Sequence, residues 1–188
     1  MRISDDRYSR DRFRLDLALR FMRHEARTHT IRKWTGLTDD RIRKLYREYL
    51  ERARGQVPRH RGKSPAQANY FVRTPRVQQE AAVLASLYCM LGALPVPPVG
   101  DIDPPVPGVA RGERLCQAFE AYLTFVQNAQ ITFEHAVLLI NELARGVEIK
   151  LGDCMVCGGL LVVDGLTVRD IRCNRCVEPL HAASARVG

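Results

Sequence analysis

The sequence predicts a mainly α-helical protein with a small C-terminal module that contains a β-hairpin. Before Val147, apolar residues recur mostly at spacings of three and four, which is the period of an amphipathic helix. After Val147 they form short extended runs, flanked by two pairs of cysteines. We therefore expect three regions: a basic helical region at 1–64, a helical middle at 65–146 and a four-cysteine module at 147–188.

The basic region begins with two predicted helices. Phe13, Leu17 and Phe21 lie at helical spacing, so we expect a first helix of about three to four turns with its arginines on the solvent side. A second, shorter helix is predicted from about Glu25 to Trp34, with its apolar residues facing inward.

A helix-turn-helix is predicted over about 25–51. Gly36 can adopt the left-handed backbone conformation of a tight turn, and Thr38 can cap the next helix with its hydroxyl. That helix has one apolar stripe, so its other face presents four cations, which would suit a DNA major groove. These candidate DNA-binding residues are Arg41, Arg43, Lys44 and Arg47. A helical hairpin with a solvated basic face is the alternative.

Positive charge is concentrated in the same part of the chain. Up to Lys63 there are 19 basic and 9 acidic side chains, against 10 and 12 from Ser64 onward. Clustered cations bind polyanions because they release condensed counterions. The Gly- and Pro-containing segment 54–65 is predicted to be a basic arm, whose Arg59, Arg61 and Lys63 would add phosphate contacts. Double-stranded DNA is therefore the expected partner.

The helical middle contains one unusually apolar helix, predicted from Val77 to Leu91. A helix that is apolar around much of its circumference must be covered by its own chain or by a partner. The segment 94–112 holds six of the ten prolines, so we expect neither helix nor central strand there. Two more helices are predicted, at about Glu113–Ala129 and Thr132–Arg145, the second closed by Gly146.

Four cysteines form the most specific motif. Fifteen residues separate the pair Cys154 and Cys157 from the pair Cys173 and Cys176. Two residues between cysteines let a tight knuckle direct both thiolates at one ion, and two knuckles complete a tetrahedral four-sulfur site. We therefore expect a zinc-ribbon-like module with one structural zinc ion, which would supply folding energy that a module of about 30 residues lacks.

The residues between the two knuckles are predicted to form the β-hairpin. Leu160–Val163 and Leu166–Ile171 are strand-like, and Asp164-Gly165 between them is a favoured hairpin turn. His181 is interpreted as an exposed tail residue rather than a ligand, and Cys89 and Cys116 as small core residues.

Other uses of the cysteines are less favoured. No secretory signal is seen at the N-terminus, so a cytoplasmic location is expected, where disulfides are rare. A redox pair would not need a second pair nearby, and nothing in the sequence indicates iron or electron transfer.

No motif indicates an enzyme, and no apolar run approaches the length of a membrane span. Gly62-Lys63-Ser64 resembles the end of a phosphate-binding loop, but Val57 stands where the earlier glycine is needed. An RNA-binding ribbon would need aromatic residues for base stacking, and none lies between Cys154 and Cys176.

The order of these motifs resembles the FlhC family, subunits of the bacterial flagellar master regulator. The resemblance is carried by Leu37-Thr-Asp-Asp-Arg-Ile-Arg-Lys-Leu-Tyr-Arg-Glu, by the pair Tyr70-Phe71 and by the two cysteine knuckles, and it extends from about Leu15 to Pro179. It implies a transcription activator that binds promoters of flagellar operons in a heteromeric complex with an FlhD-like partner. It also implies zinc held by the four cysteines.

A second hypothesis is a zinc-dependent protein-interaction subunit. Its partner would do most of the DNA reading, and the Val77–Leu91 helix together with the four-cysteine module would be the docking surface.

Overall fold

A computed structural model describes residues 2–52, 62–94, 107–168 and 171–177. Within these ranges, helices α1, α2 and α3 come first, then a short 3₁₀ helix, helices α4 to α6, strands β1 and β2, and the one-turn helix α7. Their bounds are α1 Arg2–Arg23, α2 Thr28–Thr35, α3 Asp39–Arg52, 3₁₀ Ala68–Val72, α4 Pro75–Met90, α5 Val109–Phe125, α6 Phe133–Arg145, β1 Ile149–Asp153, β2 Leu160–Asp164 and α7 Asn174–Val177. The predicted fold class, mainly helical with one C-terminal hairpin, is confirmed.

Helix α1 is longer than predicted, and among its residues 8–23 the well-buried side chains lie in the C-terminal part. Leu17 and Phe21 are fully buried against α2, α3 and α5. Phe13 continues the same stripe, yet its side chain is 60% exposed. Periodicity identifies which face of a helix is apolar, but it does not show how far the neighbouring helices extend along it.

Helices α2 and α3 form the predicted helix-turn-helix. Helix α2 begins later than predicted, because Glu25 has a φ of +60° that interrupts the helix. Gly36 adopts the left-handed conformation, with a φ of +69°, and its N–H donates to the Arg32 carbonyl at 2.9 Å. The Thr38 hydroxyl accepts from the Arg41 N–H at 3.4 Å, as expected of a cap.

Helix α4 lies at the centre of the fold. It packs against α5, α6, β2 and the 3₁₀ helix, and Leu84 and Tyr88 are fully buried. The chain itself therefore covers most of this apolar helix, and at its C-terminal end Met90 stays exposed.

Helix α5 begins four residues earlier than predicted, inside the Pro-rich segment 94–112. Residues 95–106 of that segment lie outside the described part of the chain. Gly112 is buried against α1, where an added Cβ would lie 2.6 Å from Leu17 Cδ2. The boundaries of α6 are confirmed, since Thr132 caps its start and Gly146, with a φ of +66°, ends it.

The hairpin has a different partner strand from the one predicted. Strand β2 is the predicted Leu160–Val163 run, but it pairs antiparallel with β1, so that Ile149 lies opposite Asp164. The predicted second strand, Leu166–Ile171, is wrong: 166–168 and 171 are not in a strand, and 169–170 lie outside the described residues. Just after β2, the chain still lies beside the residue that precedes β1. There the Gly165 N–H donates to the Glu148 carbonyl at 2.8 Å. A turn does follow Asp164, closed by a 3.0 Å hydrogen bond from the Thr167 N–H to the Asp164 carbonyl, but among the described residues no strand returns from it.

Within the described ranges, no helix combines the length and apolar character needed to cross a membrane.

An ion-pair network joins α1 to α5. Arg20 contacts Glu120 through two hydrogen bonds, of 2.9 and 2.6 Å, and also contacts Glu113. His24 Nε2 lies 2.9 Å from Glu120 Oε1. The hydrogen bond from Arg20, assisted by His24, lowers the pKa of Glu120 from 4.5 to about 2.

Stability is therefore expected to depend on the ionisation of Glu120. Because its pKa is lower in the folded state, the carboxylate stabilises the fold above about pH 4.5, and this contribution is lost as the pH falls toward 2. Glu120→Gln should lower the free energy of unfolding at neutral pH, and its difference from the wild type should shrink toward about pH 3. Urea unfolding of both proteins across this range measures it. If the two free energies of unfolding differed by the same amount at every pH, the stabilising role of the Glu120 carboxylate would be contradicted.

Candidate metal centre and nucleic-acid interface

The four predicted cysteines meet at one point. The Sγ atoms of Cys154, Cys157, Cys173 and Cys176 all lie within 4.8 Å of one another, and those of Cys157 and Cys173 are 3.7 Å apart. A tetrahedron with metal–sulfur bonds of about 2.3 Å has sulfur–sulfur edges of about 3.8 Å. The cluster therefore forms a possible metal-binding site with suitable dimensions.

The first knuckle is the loop that connects β1 to β2. The Cys154 N–H donates to the Gly159 carbonyl at 2.9 Å, and the Gly158 N–H donates to the Cys154 carbonyl at 2.8 Å. Gly158 has a φ of +69°, which L side chains rarely adopt. A Cβ on Gly159 would lie 3.3 Å from Cys157 Sγ. The two glycines let the loop close around the sulfurs.

The second knuckle is docked onto the first by backbone hydrogen bonds. The Met155 N–H donates to the Ile171 carbonyl at 2.9 Å, and the Cys173 N–H donates to Cys154 Sγ at 3.3 Å. The Cys176 N–H donates to the Cys173 carbonyl at 2.8 Å and begins the α7 turn. The first knuckle is thus the loop of the hairpin itself, and the chain that follows β2 returns the second knuckle to it.

The four thiols differ in acidity. Backbone N–H groups, that of Cys173 foremost and then that of Cys157, lower the pKa of Cys154 to about 6. The neighbouring thiols, Cys173 first, raise the pKa of Cys176 to about 12. Hydrogen bonds, chiefly from the backbone, thus stabilise the Cys154 thiolate, whereas the raised pKa of Cys176 means that a bound cation would favour its deprotonation.

The metal module is attached to the helical body by both apolar and polar contacts. Ile149 and Val162 are fully buried in the main core. Gln78 donates to the Val162 carbonyl at 3.0 Å, and Asn174 donates to the Pro75 carbonyl at 3.1 Å. The cysteines therefore sit beside α4.

The predicted DNA-binding cations of α3 differ in their surroundings. Arg41 donates two hydrogen bonds, of 2.7 and 3.3 Å, to the carboxylate of Asp11 on α1. The hydrogen bond raises the pKa of Arg41 and lowers that of Asp11. Arg41 therefore pairs with α1, a contact across 30 residues that no local pattern indicates.

The other three cations share an exposed face of α3. Arg43 lies 3.0 Å from Asp40, and Lys44 lies 3.9 Å from Glu48, both on the same helix. Arg47 is exposed between them. Such exposed pairs are worth about 0–1 kcal/mol, so a phosphate can replace the carboxylate at little cost. Lys63 is exposed, and Arg59 and Arg61 lie outside the described residues, as does His181.

The remaining two cysteines lie apart from the cluster. Cys116 is fully buried in the core, and burial raises the pKa of both its thiol and that of half-buried Cys89. Cys116 is a small core residue, as predicted, whereas Cys89 is partly buried and packs against the core.

The chain is thus a mainly helical protein with a helix-turn-helix and a cluster of four cysteines that could bind a metal ion. No protein-family model matches the chain, and no curated protein matches it significantly.

Proposed function

We propose that the protein is a DNA-binding subunit of a transcription activator, similar to the FlhC family and acting with an FlhD-like partner at flagellar promoters. The observation that carries this proposal is the exposed cation face of α3, formed by Arg43, Lys44 and Arg47. It lies opposite Ile42 and Tyr46, which are buried.

The geometry around this face favours a polyanion. An α-helix fits the major groove of DNA, and the helix after the turn is the one that enters it in helix-turn-helix proteins. The acidic residues at the start of α3 do not oppose this, because Asp39 lies 3.6 Å from Arg32, and Asp40 is paired with Arg43. The first 63 residues carry the excess positive charge that would drive counterion release.

The metal that we assign to the four-cysteine site is one structural zinc ion. Four thiolates in a tetrahedral arrangement favour zinc or iron–sulfur chemistry, and two C-x-x-C knuckles, here one in a hairpin loop and one in the chain after it, are typical of zinc sites. Four protein ligands leave no open position for a reacting water. The ion would therefore stabilise the fold, which agrees with a protein that is not an enzyme.

Replacing Arg43, Lys44 and Arg47 together by Ala should weaken binding to duplex DNA. If each cation contacts one phosphate, the slope of log K against log salt should fall by about three units. Fluorescence anisotropy with labelled promoter and unrelated duplexes, over a range of salt concentrations, measures both the affinity and the slope.

The control has the same change in charge away from α3. Arg73, Lys150 and Arg172 lie outside α3, Arg73 and Arg172 exposed and Lys150 partly exposed, so their triple Ala variant should keep most of the slope. Equal losses in the two triple variants would mean that only net charge matters, and the assignment to α3 would be wrong.

The protein-interaction subunit remains a second candidate because of apolar side chains on the metal module. Met155 and Val156 are exposed on the first knuckle, and Leu166 and Val168 are 88% and 94% exposed just after β2. Exposed apolar groups of this size are typical of interaction surfaces. Since α4 is covered by its own chain, docking would use the module rather than the Val77–Leu91 helix.

The two candidates differ in what the isolated protein does. If the purified, metal-loaded chain binds promoter DNA at physiological salt, direct binding is supported. If binding requires an FlhD-like protein and the α3 triple variant binds as the wild type does, the interaction role is supported instead.

A further inference from the structure

Arg41 lies in the first turn of α3, before the three exposed cations of the same helix. In helix-turn-helix proteins, the N-terminal residues of the second helix are the ones that contact base edges in the major groove. The side chain of Arg41 is 47% exposed, so a ligand can reach it. Arg41 therefore occupies a position from which a side chain can read a base.

No other cation shares this first turn, since Asp39, Asp40 and Ile42 are its other residues. The two acidic residues already have partners, because Asp39 lies 3.6 Å from Arg32, and Asp40 is paired with a cation of its own helix. Arginine makes the commonest specific base contact, a pair of hydrogen bonds to O6 and N7 of guanine. The first turn of α3 thus offers one group that is well suited to reading a guanine.

The contact between Arg41 and Asp11 leaves the donors that a guanine requires. Nη1 and Nη2 of Arg41 each donate to one oxygen of the Asp11 carboxylate, at 3.3 and 2.7 Å. A guanidinium has five N–H donors, and this contact uses only two of them, at the end of the group. Nε has no acceptor in the described part of the chain. Nε–H and an adjacent Nη–H can therefore form a second two-donor contact.

Asp11 gives this side chain a fixed direction. It lies on α1, whose Leu17 and Phe21 are fully buried and pack against the neighbouring helices, α3 included. An exposed ion pair adds only about 0–1 kcal/mol to stability, so orientation is the more important consequence of the contact. An arginine that is already held by two hydrogen bonds loses less conformational entropy when it binds a base.

We propose that Arg41 reads a guanine in the major groove and that Asp11 is the positioning residue that orients it. This inference rests on the proposed DNA binding and adds sequence recognition to it. Nε–H and one Nη–H of Arg41 would donate to the guanine, while the three exposed cations of α3 contact phosphates. A phosphate is the less suitable ligand for Arg41, because Asp11 offsets the arginine's charge and would repel a phosphate.

Binding-site selection from a random duplex pool tests the base contact. It uses the full-length, metal-loaded wild type in parallel with the double variant Asp11→Asn/Arg41→Gln, which has the same net charge. The wild type should enrich a guanine at a position where the double variant does not. In fluorescence anisotropy, exchanging that G·C pair for A·T should weaken wild-type binding by about tenfold or more, and binding of the variant by less than about twofold. The slope of log K against log salt should be the same for both proteins.

Asp11→Asn alone tests the positioning role. Asparagine offers one acceptor oxygen and no charge, so the preference for guanine over adenine at that position should fall by about threefold or more. Affinity for an unrelated duplex should not fall, because the variant has lost a negative charge. Asp16→Asn is the matched control, since Asp16 is an exposed carboxylate on the same helix that lies 3.8 Å from Arg12. It changes the charge equally and should leave the guanine preference unchanged.

The inference is overturned if the wild type enriches no guanine, if the double variant enriches the same one, or if Asp11→Asn keeps the guanine preference of Asp16→Asn. A salt slope that falls by about one unit in the double variant would identify Arg41 as a phosphate contact instead. Failure of the proposed DNA binding has a different signature, an unchanged salt slope in the α3 triple variant.

Discussion

Replacing Cys157 by Ser, or removing the metal with a chelator, is expected to unfold both cysteine knuckles while the helical body stays folded. Cys157 is exposed, so its substitution removes a ligand with little loss of packing. The small apolar cluster around the site contains only three buried side chains, Cys154, Leu161 and Val163. In zinc-finger peptides, metal binding contributes on the order of 10 kcal/mol to folding, far more than such a cluster can supply.

The unfolding should stop at the hairpin. Ile149 and Val162 belong to the main core, and Gln78 binds the Val162 carbonyl, so β1 and β2 keep contacts that do not require the metal. Hydrogen exchange should therefore rise strongly in 154–159 and 171–177, and little in α1 and α4. Metal analysis of the wild type should find one zinc ion per chain.

Cys89→Ser is the matched control, because Cys89 lies outside the cluster. It should retain the full metal content and the protection of both knuckles. Wild-type protein without bound metal, or a Cys157→Ser variant with unchanged exchange in both knuckles, would contradict the structural role of the site.

Replacing Glu80 by Ala is expected to cause the largest loss of stability within the helical body. The Glu80 carboxylate is buried and accepts from the Tyr122 hydroxyl at 2.6 Å, from the Gln130 N–H at 2.8 Å and from Arg76 at 3.0 Å. Burial raises the pKa of Glu80, but these three hydrogen bonds outweigh it, so the pKa is lowered overall. The carboxylate joins α4, α5 and the turn before α6.

Glu80→Ala loses stability because buried hydrogen-bond donors are left without an acceptor. Without Glu80, the fully buried Tyr122 hydroxyl and the Gln130 N–H lose their acceptor. Breaking a buried, hydrogen-bonded charge in this way costs about 3–5 kcal/mol, which corresponds to a fall in Tm of roughly 10 °C for a chain of this length. Glu80→Gln keeps one acceptor oxygen and should lose less than half as much.

Thermal and urea unfolding measure these differences. Glu148→Ala serves as the control, since Glu148 is exposed, and it should change stability by less than about 0.5 kcal/mol. Tyr122→Phe combined with Glu80→Ala should be clearly less destabilising than the sum of the two single changes. A loss below about 1 kcal/mol for Glu80→Ala would contradict the role assigned to this network.

The features that the sequence predicts well depend on neighbouring residues. Gly36 and Gly146 end helices, and Thr38 and Thr132 begin them, because a left-handed backbone or a capping hydroxyl acts within one turn. The cysteine cluster was predictable for the same reason, since each C-x-x-C pair forms one local knuckle. Strand β1 was missed because Ile149–Asp153 is short and includes Gly152, and its partner is decided by packing on α4 and α6.

The sequence by itself thus determined the helical periods, most of the caps, the concentration of cations and the four cysteines of the possible metal site. Only the tertiary structure decided that Arg41 binds Asp11, that β2 pairs with β1 and that α4 is covered by its own chain. The physical reason is the distance along the chain between the residues that interact. Backbone conformation and ligand spacing depend on a few adjacent residues, whereas pairing, burial and cavities depend on groups that are distant in the chain and meet only after folding.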